Sequence, residues 1–253
     1  MLYSSVYDDA FKFFAGCFVW FDVMSAASMG TKHLIQDEDE RLLDTNIVDL
    51  GSLVGCDNWI VTTILKITAL HHWKQERERD GKLSLTELVR RSDPLERRLK
   101  HSLAKVSGLV YPSTMTADPS ATQSNSQKDV ITKIFVGSTL SYLHFVVSGA
   151  YPELAEMRES VITTIDGLKK LPHPWLLRSL AWCFCITGCL ALPDERDLLR
   201  NMVSAAGVNG PTGGSLGKAL EVVEQCWLIQ DSPLGMCDWR EAASSLGYDT
   251  LFI

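Results

Sequence analysis

The sequence predicts an all-α fold in a single domain, and three observations support this prediction. Apolar residues recur three and four positions apart along most of the chain, which is the period of an amphipathic helix. No run of alternating apolar and β-branched residues reaches the length of a strand. The 253 residues are 46% hydrophobic, which suffices for one sizeable core and excludes collagen-like, mucin-like and wholly disordered chains.

Predicted helices follow one another along the chain. The first contains Phe11, Phe14, Ala15, Phe18, Val19 and Val23 at helical spacing. A second contains Trp59, Ile60, Thr63, Ile64, Ile67 and Leu70, and a third contains Val130, Ile131, Ile134, Phe135, Ser138, Tyr142 and Phe145. Further helices are predicted at 93–107, 152–168, 174–191, 194–206, 215–230 and 238–246, with Pro152 and Pro174 in first turns, where a missing N–H costs nothing.

Two segments interrupt this helical pattern. Residues 111–127 are rich in Ser, Thr, Pro and Ala, so we predict a mobile loop that joins two helical halves. Residues 207–214 read GVNGPTGG, which predicts a tight glycine loop between helices. Because each half alone would leave broad apolar helix faces uncovered, we expect one domain over residues 1–253 with the loop inserted in it.

Charge and hydropathy limit the partners and the compartment. The formal net charge of −7 argues against direct binding of nucleic acid by this chain, because phosphate binding needs a surplus of Lys and Arg. The longest apolar run, 179–192, is too short to cross a bilayer, so no membrane contact is expected. No secretory signal is visible, and the seven cysteines are typical of reduced core residues in an intracellular protein.

Short motifs in the chain are better explained by structure than by chemistry. Cys183 and Cys185 would point in different directions on one helix, and no ligand set for a metal stands nearby, so neither a metal site nor a cofactor is predicted. Residues 213–217 match the G-x-S-x-G string of hydrolases, but a glycine loop precedes them and Ser215 is expected to be a helix N-cap. His71 and His72 are expected to be solvated or to cap a helix.

Polar groups within apolar helix faces are the candidate functional residues. Asp22, His144 and Arg178 each interrupt an apolar segment, and a buried ionisable group needs a partner or a changed protonation state. They are expected either to form internal hydrogen bonds or ion pairs, or to line a ligand cavity. The aromatic residues predicted to line such a cavity are Trp20, Trp59, Tyr142 and Trp182.

Several strings resemble the fungal-specific transcription factor domain that follows the zinc binuclear cluster in many fungal regulators. Residues 13–28 read FFAGCFVWFDVMSAAS, residues 53–59 read LVGCDNW and residues 177–191 read LRSLAWCFCITGCLA. The similarity continues through 219–227 and Asp238-Trp239. It implies an all-α regulatory domain that receives effectors or protein partners. The zinc cluster needs closely spaced C-x-x-C pairs, which this sequence lacks, so DNA binding in the family's manner is not expected.

The sequence is therefore compatible with two functions. The first is a stand-alone regulatory module that binds a small hydrophobic molecule or a regulatory protein, and it would be nuclear. The alternative is a cytoplasmic enzyme of fungal secondary metabolism, of the cyclase, isomerase or dehydratase type, that uses an apolar cavity on the same scaffold. In that enzyme Asp22 or His144 would be the acid or base, and Arg178 would stabilise developing charge. The sequence leaves the oligomeric state open.

Overall fold

A computed structural model describes residues 2–34, 36–106, 119–208, 213–232 and 235–248. Within these ranges the chain forms eleven α-helices and one 3₁₀ helix and has no strand, which confirms the all-α prediction. The helices in chain order are α1 (Leu2–Met29), α2 (Gln36–Asp44), α3 (Leu50–Val54), α4 (Asn58–Arg79), α5 (Leu85–Val106), α6 (Pro119–Ser148), α7 (Ala155–Leu168), the 3₁₀ helix (Pro174–Leu180), α8 (Ala181–Cys189), α9 (Pro193–Ala205), α10 (Gly214–Gln230) and α11 (Trp239–Ser245).

Helix α6 is the centre of the fold and packs against α4, α5, α7 and α8. Its contact with α7 is antiparallel and unusually close. A β-carbon on Gly137 would lie 2.4 Å from the Thr164 hydroxyl, and one on Gly167 would lie 2.7 Å from the Ile134 side chain. Two glycines on opposite helices therefore let the two backbones approach each other.

Helices α8 and α10 form a second close pair. All nine residues of α8 are buried, and a β-carbon on Gly188 would meet both methyl groups of Val223 at 2.8 and 2.9 Å. The indole of Trp227 on α10 donates to the Gly188 carbonyl at 2.7 Å, so a hydrogen bond fixes the same crossing. The apolar run that the sequence assigns to a buried helix is thus in the core.

Side chains at helix ends fix the connections. The Asp49 carboxylate caps α3 by accepting from the Ser52 N–H at 3.2 Å, and Asp238 caps α11 by accepting from the Arg240 N–H at 2.7 Å. Asn58 organises the segment before α4. Its amide oxygen accepts from the Leu50 N–H at 2.9 Å, and its amide nitrogen donates to the carbonyls of Val48 at 2.7 Å and Leu43 at 3.2 Å.

Several predicted boundaries are wrong. Helix α6 begins at Pro119, so residues 119–127 of the predicted loop are helical, while 107–118 lie outside the described residues. Helix α5 begins at Leu85 and continues through Pro94, which lacks the N–H for the carbonyl of exposed Arg90. Pro174 does begin its helix, but Pro152 precedes the N-cap of α7.

The glycine segment before α10 differs from its prediction in one respect. Residues 209–212 lie outside the described residues. The N-cap of α10 is Gly213, without a side-chain hydrogen bond, so the predicted capping role of Ser215 is wrong.

The seven cysteines are free thiols, and all except Cys17 are buried. This confirms the prediction of reduced core cysteines. Burial raises the pKa of the Cys183 thiol to about 12, because a thiolate would lose its hydration in the core. The six buried cysteines are therefore packing residues of the core.

Candidate functional site

Asp22 lies on α1 and is buried beneath the connection between α1 and α2. Both of its carboxylate oxygens accept from the Leu34 N–H, at 3.2 and 3.1 Å. The Nδ1 atom of His33 lies 3.6 Å from Asp22 Oδ2, slightly beyond hydrogen-bond distance. Asp39, on the first turns of α2, completes a group in which one donor atom from each residue lies within 4.8 Å of the others.

Burial dominates the electrostatics of this group. It lowers the pKa of His33, although the Asp22 carboxylate opposes that shift. Burial and the neighbouring Asp22 carboxylate raise the pKa of Asp39 to about 8. Asp22 is a candidate from the sequence, whereas His33 and Asp39 become candidates only from the structure. Both stand in a strongly polar stretch, TKHLIQDEDE, that is typical of a solvated surface.

His144 lies on α6, where α5 and α7 cover it. Its Nδ1 atom lies 3.5 Å from the Ser160 hydroxyl on α7, and its Nε2 atom lies 3.5 Å from the Glu96 carboxylate on α5. Burial lowers the pKa of His144, with Glu96 opposing. Glu96 also pairs with Lys100 at 2.8 Å. The imidazole is thus a polar link between three helices.

Arg178 lies in the 3₁₀ helix and binds the end of α9. Its guanidinium donates to the carbonyls of Ala206 and Gly207, each at 3.1 Å. A cation at this position satisfies helix carbonyls that have no partner within the helix and interacts favourably with the helix dipole. Among the described contacts, none joins any two of Asp22, His144 and Arg178. Their predicted catalytic roles stay predictions, and each has a structural partner.

The predicted ligand-binding aromatic residues are distributed over the core. Tyr142 and Trp182 meet edge to face with ring centroids 6.0 Å apart, and Tyr142 meets Trp239 in the same way at 5.8 Å. Trp20 instead packs against Phe135 at 6.1 Å. Trp59 is partly buried beneath the Arg98 guanidinium, which lies 5.3 Å from the ring centroid. The structure brings Tyr142 and Trp182 together and places Trp20 and Trp59 against other partners.

Two of the clefts among the described residues are lined by residues other than these four aromatic side chains. An apolar cleft of about 290 Å³ lies between the end of α7, the 3₁₀ helix and α9. We call it the α7–α9 cleft, and its lining residues are Leu168, Lys169, Leu171, Pro174, Leu177, Leu198, Met202 and Ala205. A more polar cleft of about 430 Å³ lies between α1 and α3, lined by residues that include Phe13, Asn46, Asp49 and Leu53.

Helix α1 carries an exposed apolar surface. Phe11, Phe14, Phe18 and Phe21 are exposed to 60, 69, 44 and 51%. At 3.6 residues per turn their spacing of three, four and three places them within an arc of about 80° on one side of α1. We call this surface the phenylalanine face. The predicted helix is confirmed, and of its apolar residues Val19 and Val23 are buried, whereas Phe11, Phe14 and Phe18 are exposed.

Among the described residues, two helical segments are long and apolar enough to cross a membrane, namely 9–29 in α1 and 127–148 in α6. The α6 segment is 78% buried within the fold, and the α1 segment is 44% buried. Core helices of soluble proteins commonly have the same length and hydropathy, so these properties are weak support for a membrane span. For α6, the covering by other helices accounts for the apolar composition.

Known proteins similar to this chain are transcription regulators. The trichothecene biosynthesis transcription regulator TRI10 of Trichoderma arundinaceum is 31% identical over 246 residues, which cover 96% of this chain and 54% of that protein. Transcription factor dibT of Pestalotiopsis microspora is 31% identical, with 96% and 41% covered. The ustiloxin B cluster transcription factor ustR of Aspergillus flavus is 28% identical, with 96% and 43% covered.

This chain spans about half the length of these relatives. No solved structure shows a significant match to it. The fungal specific transcription factor domain matches residues 2–253, nearly the whole sequence. This confirms the resemblance seen in the strings of α1, α3 and α8, and the chain belongs to the fungal specific transcription factor domain family.

Proposed function

We propose that this chain is the regulatory domain of a nuclear fungal regulator of secondary-metabolite genes, and that it acts by binding a partner protein through the phenylalanine face. The names of its relatives support the first half of this proposal, because one is a transcription regulator of trichothecene biosynthesis and another is the transcription factor of the ustiloxin B cluster. The phenylalanine face supports the second half. The net charge of −7 supports assigning the DNA contact to a different module.

An exposed row of four phenylalanines is costly in water. Each fully buried aromatic side chain contributes roughly 1.5–3 kcal/mol relative to an exposed one, so covering this face would supply a substantial part of a binding energy. Phe13 lies beside the row, stacked edge to face on Phe14 with centroids 5.5 Å apart. It also lines the cleft between α1 and α3, so the apolar surface is continuous with a recess.

The surroundings of the face indicate the chemistry of the partner. The carboxylate of Asp49 and the amide of Asn46 lie in the recess beside Phe13. An amphipathic helix fits this arrangement, with its apolar side on the phenylalanine row and a hydrogen-bond donor at the recess. Docking of such a helix on an apolar groove is a common mode of protein recognition.

A transcription assay tests both halves of this proposal. The 253-residue chain is fused to an unrelated DNA-binding domain in a fungal host, and expression of a reporter gene is measured. We expect the fusion to change reporter expression, and the double substitution Phe14→Ser with Phe18→Ser to remove most of that change. The matched control is Leu85→Ser with Val89→Ser on α5, where both apolar side chains are also exposed, to 69 and 56%.

The two constituents of this proposal, the regulatory role and the role of the phenylalanine face, are tested by different outcomes. A wild-type fusion that leaves the reporter unchanged would refute a regulatory role. A double phenylalanine variant that behaves like wild type would refute the role of the face. Because the substituted side chains are exposed, thermal unfolding of the purified variants should match that of wild type, and this measurement confirms that any loss is not caused by unfolding.

The α7–α9 cleft favours a second candidate function, which is binding of a small hydrophobic molecule. Its volume of about 290 Å³ is close to the lower end of the range for ligand pockets, and most of its lining is aliphatic. A hydrophobic fluorescent probe such as Nile red should bind with saturable enhancement that Ala205→Phe removes by filling the cleft. Unchanged binding in this variant would place the probe elsewhere.

A further inference from the structure

The group formed by Asp22, His33 and Asp39 has the composition of a metal site. It combines one imidazole and two carboxylates, contributed by α1, the following connection and α2. Donor atoms bound to one Zn²⁺ at about 2.1 Å in a tetrahedron lie roughly 3.4 Å apart. The 3.6 Å between His33 Nδ1 and Asp22 Oδ2 is close to that distance. All three donors lie within 4.8 Å of one another, so side-chain movements of about 1 Å would bring them to this spacing, with a water molecule as the fourth ligand.

Unpartnered polar atoms point to a ligand at this position. Asp39 is fully buried, and neither of its carboxylate oxygens has a hydrogen-bond partner among the described residues. The His33 side chain is 1% exposed, and both of its ring nitrogens also lack a partner there. Buried polar groups are nearly always hydrogen-bonded, because a missing bond costs about 1–3 kcal/mol for each group.

The remaining contacts orient the group rather than neutralise it. The Leu34 N–H holds both oxygens of Asp22 in place. Among the hydrogen bonds and ion pairs of the described residues, none joins Asp22, His33 or Asp39 to a Lys or Arg. The Asp22 and Asp39 carboxyl groups therefore have no cationic partner among the described residues. A divalent cation would displace the Asp39 proton, supply the missing positive charge and occupy the free lone pairs.

We propose that Asp22, His33 and Asp39 bind a divalent transition-metal ion, with Zn²⁺ as the best fit, and that the ion fastens the α1–α2 connection to the domain. Mixed imidazole and carboxylate donors favour such ions over Mg²⁺ or Ca²⁺, which prefer oxygen ligands alone. Because the donors lie between positions 22 and 39, the ion would link the last turns of α1 to the first turn of α2. Its role would be structural.

Metal binding to the purified full chain tests this proposal. After chelation and buffer exchange, titration calorimetry with Zn²⁺ should show one equivalent bound. The midpoint of thermal unfolding should rise by roughly 5–11 °C when free Zn²⁺ is a hundredfold above its dissociation constant. The nearly isosteric Asp39→Asn should weaken binding at least about tenfold and remove most of the thermal shift. Asp37→Asn, a change of the same type at an exposed position of α2, should leave both unchanged.

Binding of Co²⁺ to the wild-type chain tests the site without any variant, because the absorption spectrum reports which ligands hold the ion. Wild-type protein with one equivalent of Co²⁺ should show weak visible absorption bands of nitrogen and oxygen ligation. An intense sulfur-to-cobalt charge-transfer band would place the ion on the buried cysteines and overturn the proposal. So would the absence of stoichiometric binding, which would identify the group as a buried carboxyl pair that shares a proton.

Discussion

His71 makes the stability of this domain depend on pH. It lies within α4 and is buried, so its predicted solvated or capping role is wrong. Its Nδ1 atom accepts from the Arg240 guanidinium of α11 at 3.1 Å. Burial, together with the positive charge of Arg240, lowers the pKa of His71 to about 3. The positive groups His72 and Lys74 act in the same direction. The imidazole is therefore neutral in the fold at any pH above that value, and protonation would destroy the contact with Arg240.

The size of the effect follows from proton linkage. In the unfolded chain a histidine binds its proton near pH 6.5, so between pH 6.5 and about 3 the unfolded state holds more protons than the folded state. The contribution of His71 to the free energy of unfolding is fully present above pH 6.5 and is lost as the pH falls from 6.5 to about 3. The loss from this residue is about 2 kcal/mol at pH 5 and reaches about 5 kcal/mol below pH 3.

The substitution His71→Asn measures this contribution. Asparagine keeps an acceptor for Arg240 and does not titrate, so the variant should lose about 2 kcal/mol less stability than wild type between pH 7.5 and 5. In thermal unfolding this corresponds to a difference of roughly 4–8 °C in the decrease of Tm for a domain of this size. The pKa values of His33 and His144 are also lowered. Both residues stay in the variant, so the comparison removes their contributions.

The control is His101→Asn, at an exposed position of α5, which should follow the wild-type pH profile. Urea denaturation at each pH gives the free energy of unfolding independently of the thermal data. Equal losses of stability in wild type and His71→Asn would refute the reasoning, because they would show that the His71–Arg240 contact does not keep the imidazole neutral.

Three further predictions concern the packing. Gly188→Ala should destabilise the fold by about 1–3 kcal/mol by overpacking α8 on α10, and Val223→Ala in the same chain should restore part of this, as a double-mutant cycle by urea denaturation would show. Asn58→Ala should cost about 2–4 kcal/mol, because it leaves buried backbone groups before α4 unpaired, which Tm would report. Trp239→Phe should cost about 1–2 kcal/mol through loss of the indole donor to the Ser28 carbonyl. A cost below measurable error would show that water replaces this bond.

Helical periodicity predicted the fold class because most helices have one covered side. It failed at α1, where apolar residues surround the helix on nearly all sides. Val19 and Val23 are buried and lie about 80–140° around the helix axis from the exposed Phe11 and Phe18, and a 3.6-residue period cannot decide which of these sides faces the core. That choice is made by helices distant in sequence, chiefly α4. The sequence therefore predicted the helix correctly and its buried side only in part.

Local polarity limited the prediction of the candidate site in the same way. The sequence identifies Asp22 as a candidate because its neighbours Phe21 and Val23 are apolar. It does not identify Asp39, because α2 has three acidic residues in its first turn and resembles a solvated helix. Its burial arises only when α2 packs on α4. Ionisable residues in polar stretches become candidates only after tertiary contacts are known.

The metal site and the phenylalanine face lie on one helix, which connects the two proposals physically. Asp22 directly follows Phe21, so an ion held by Asp22, His33 and Asp39 would fix the end of α1 beside the docking surface. The backbone there would lose freedom before a partner binds, and less conformational entropy would be lost on docking. If both sites are real, Zn²⁺ should strengthen partner binding in wild type and leave it unchanged in Asp39→Asn. The two effects are separable, because Phe14→Ser should weaken docking at every Zn²⁺ concentration without changing the metal affinity.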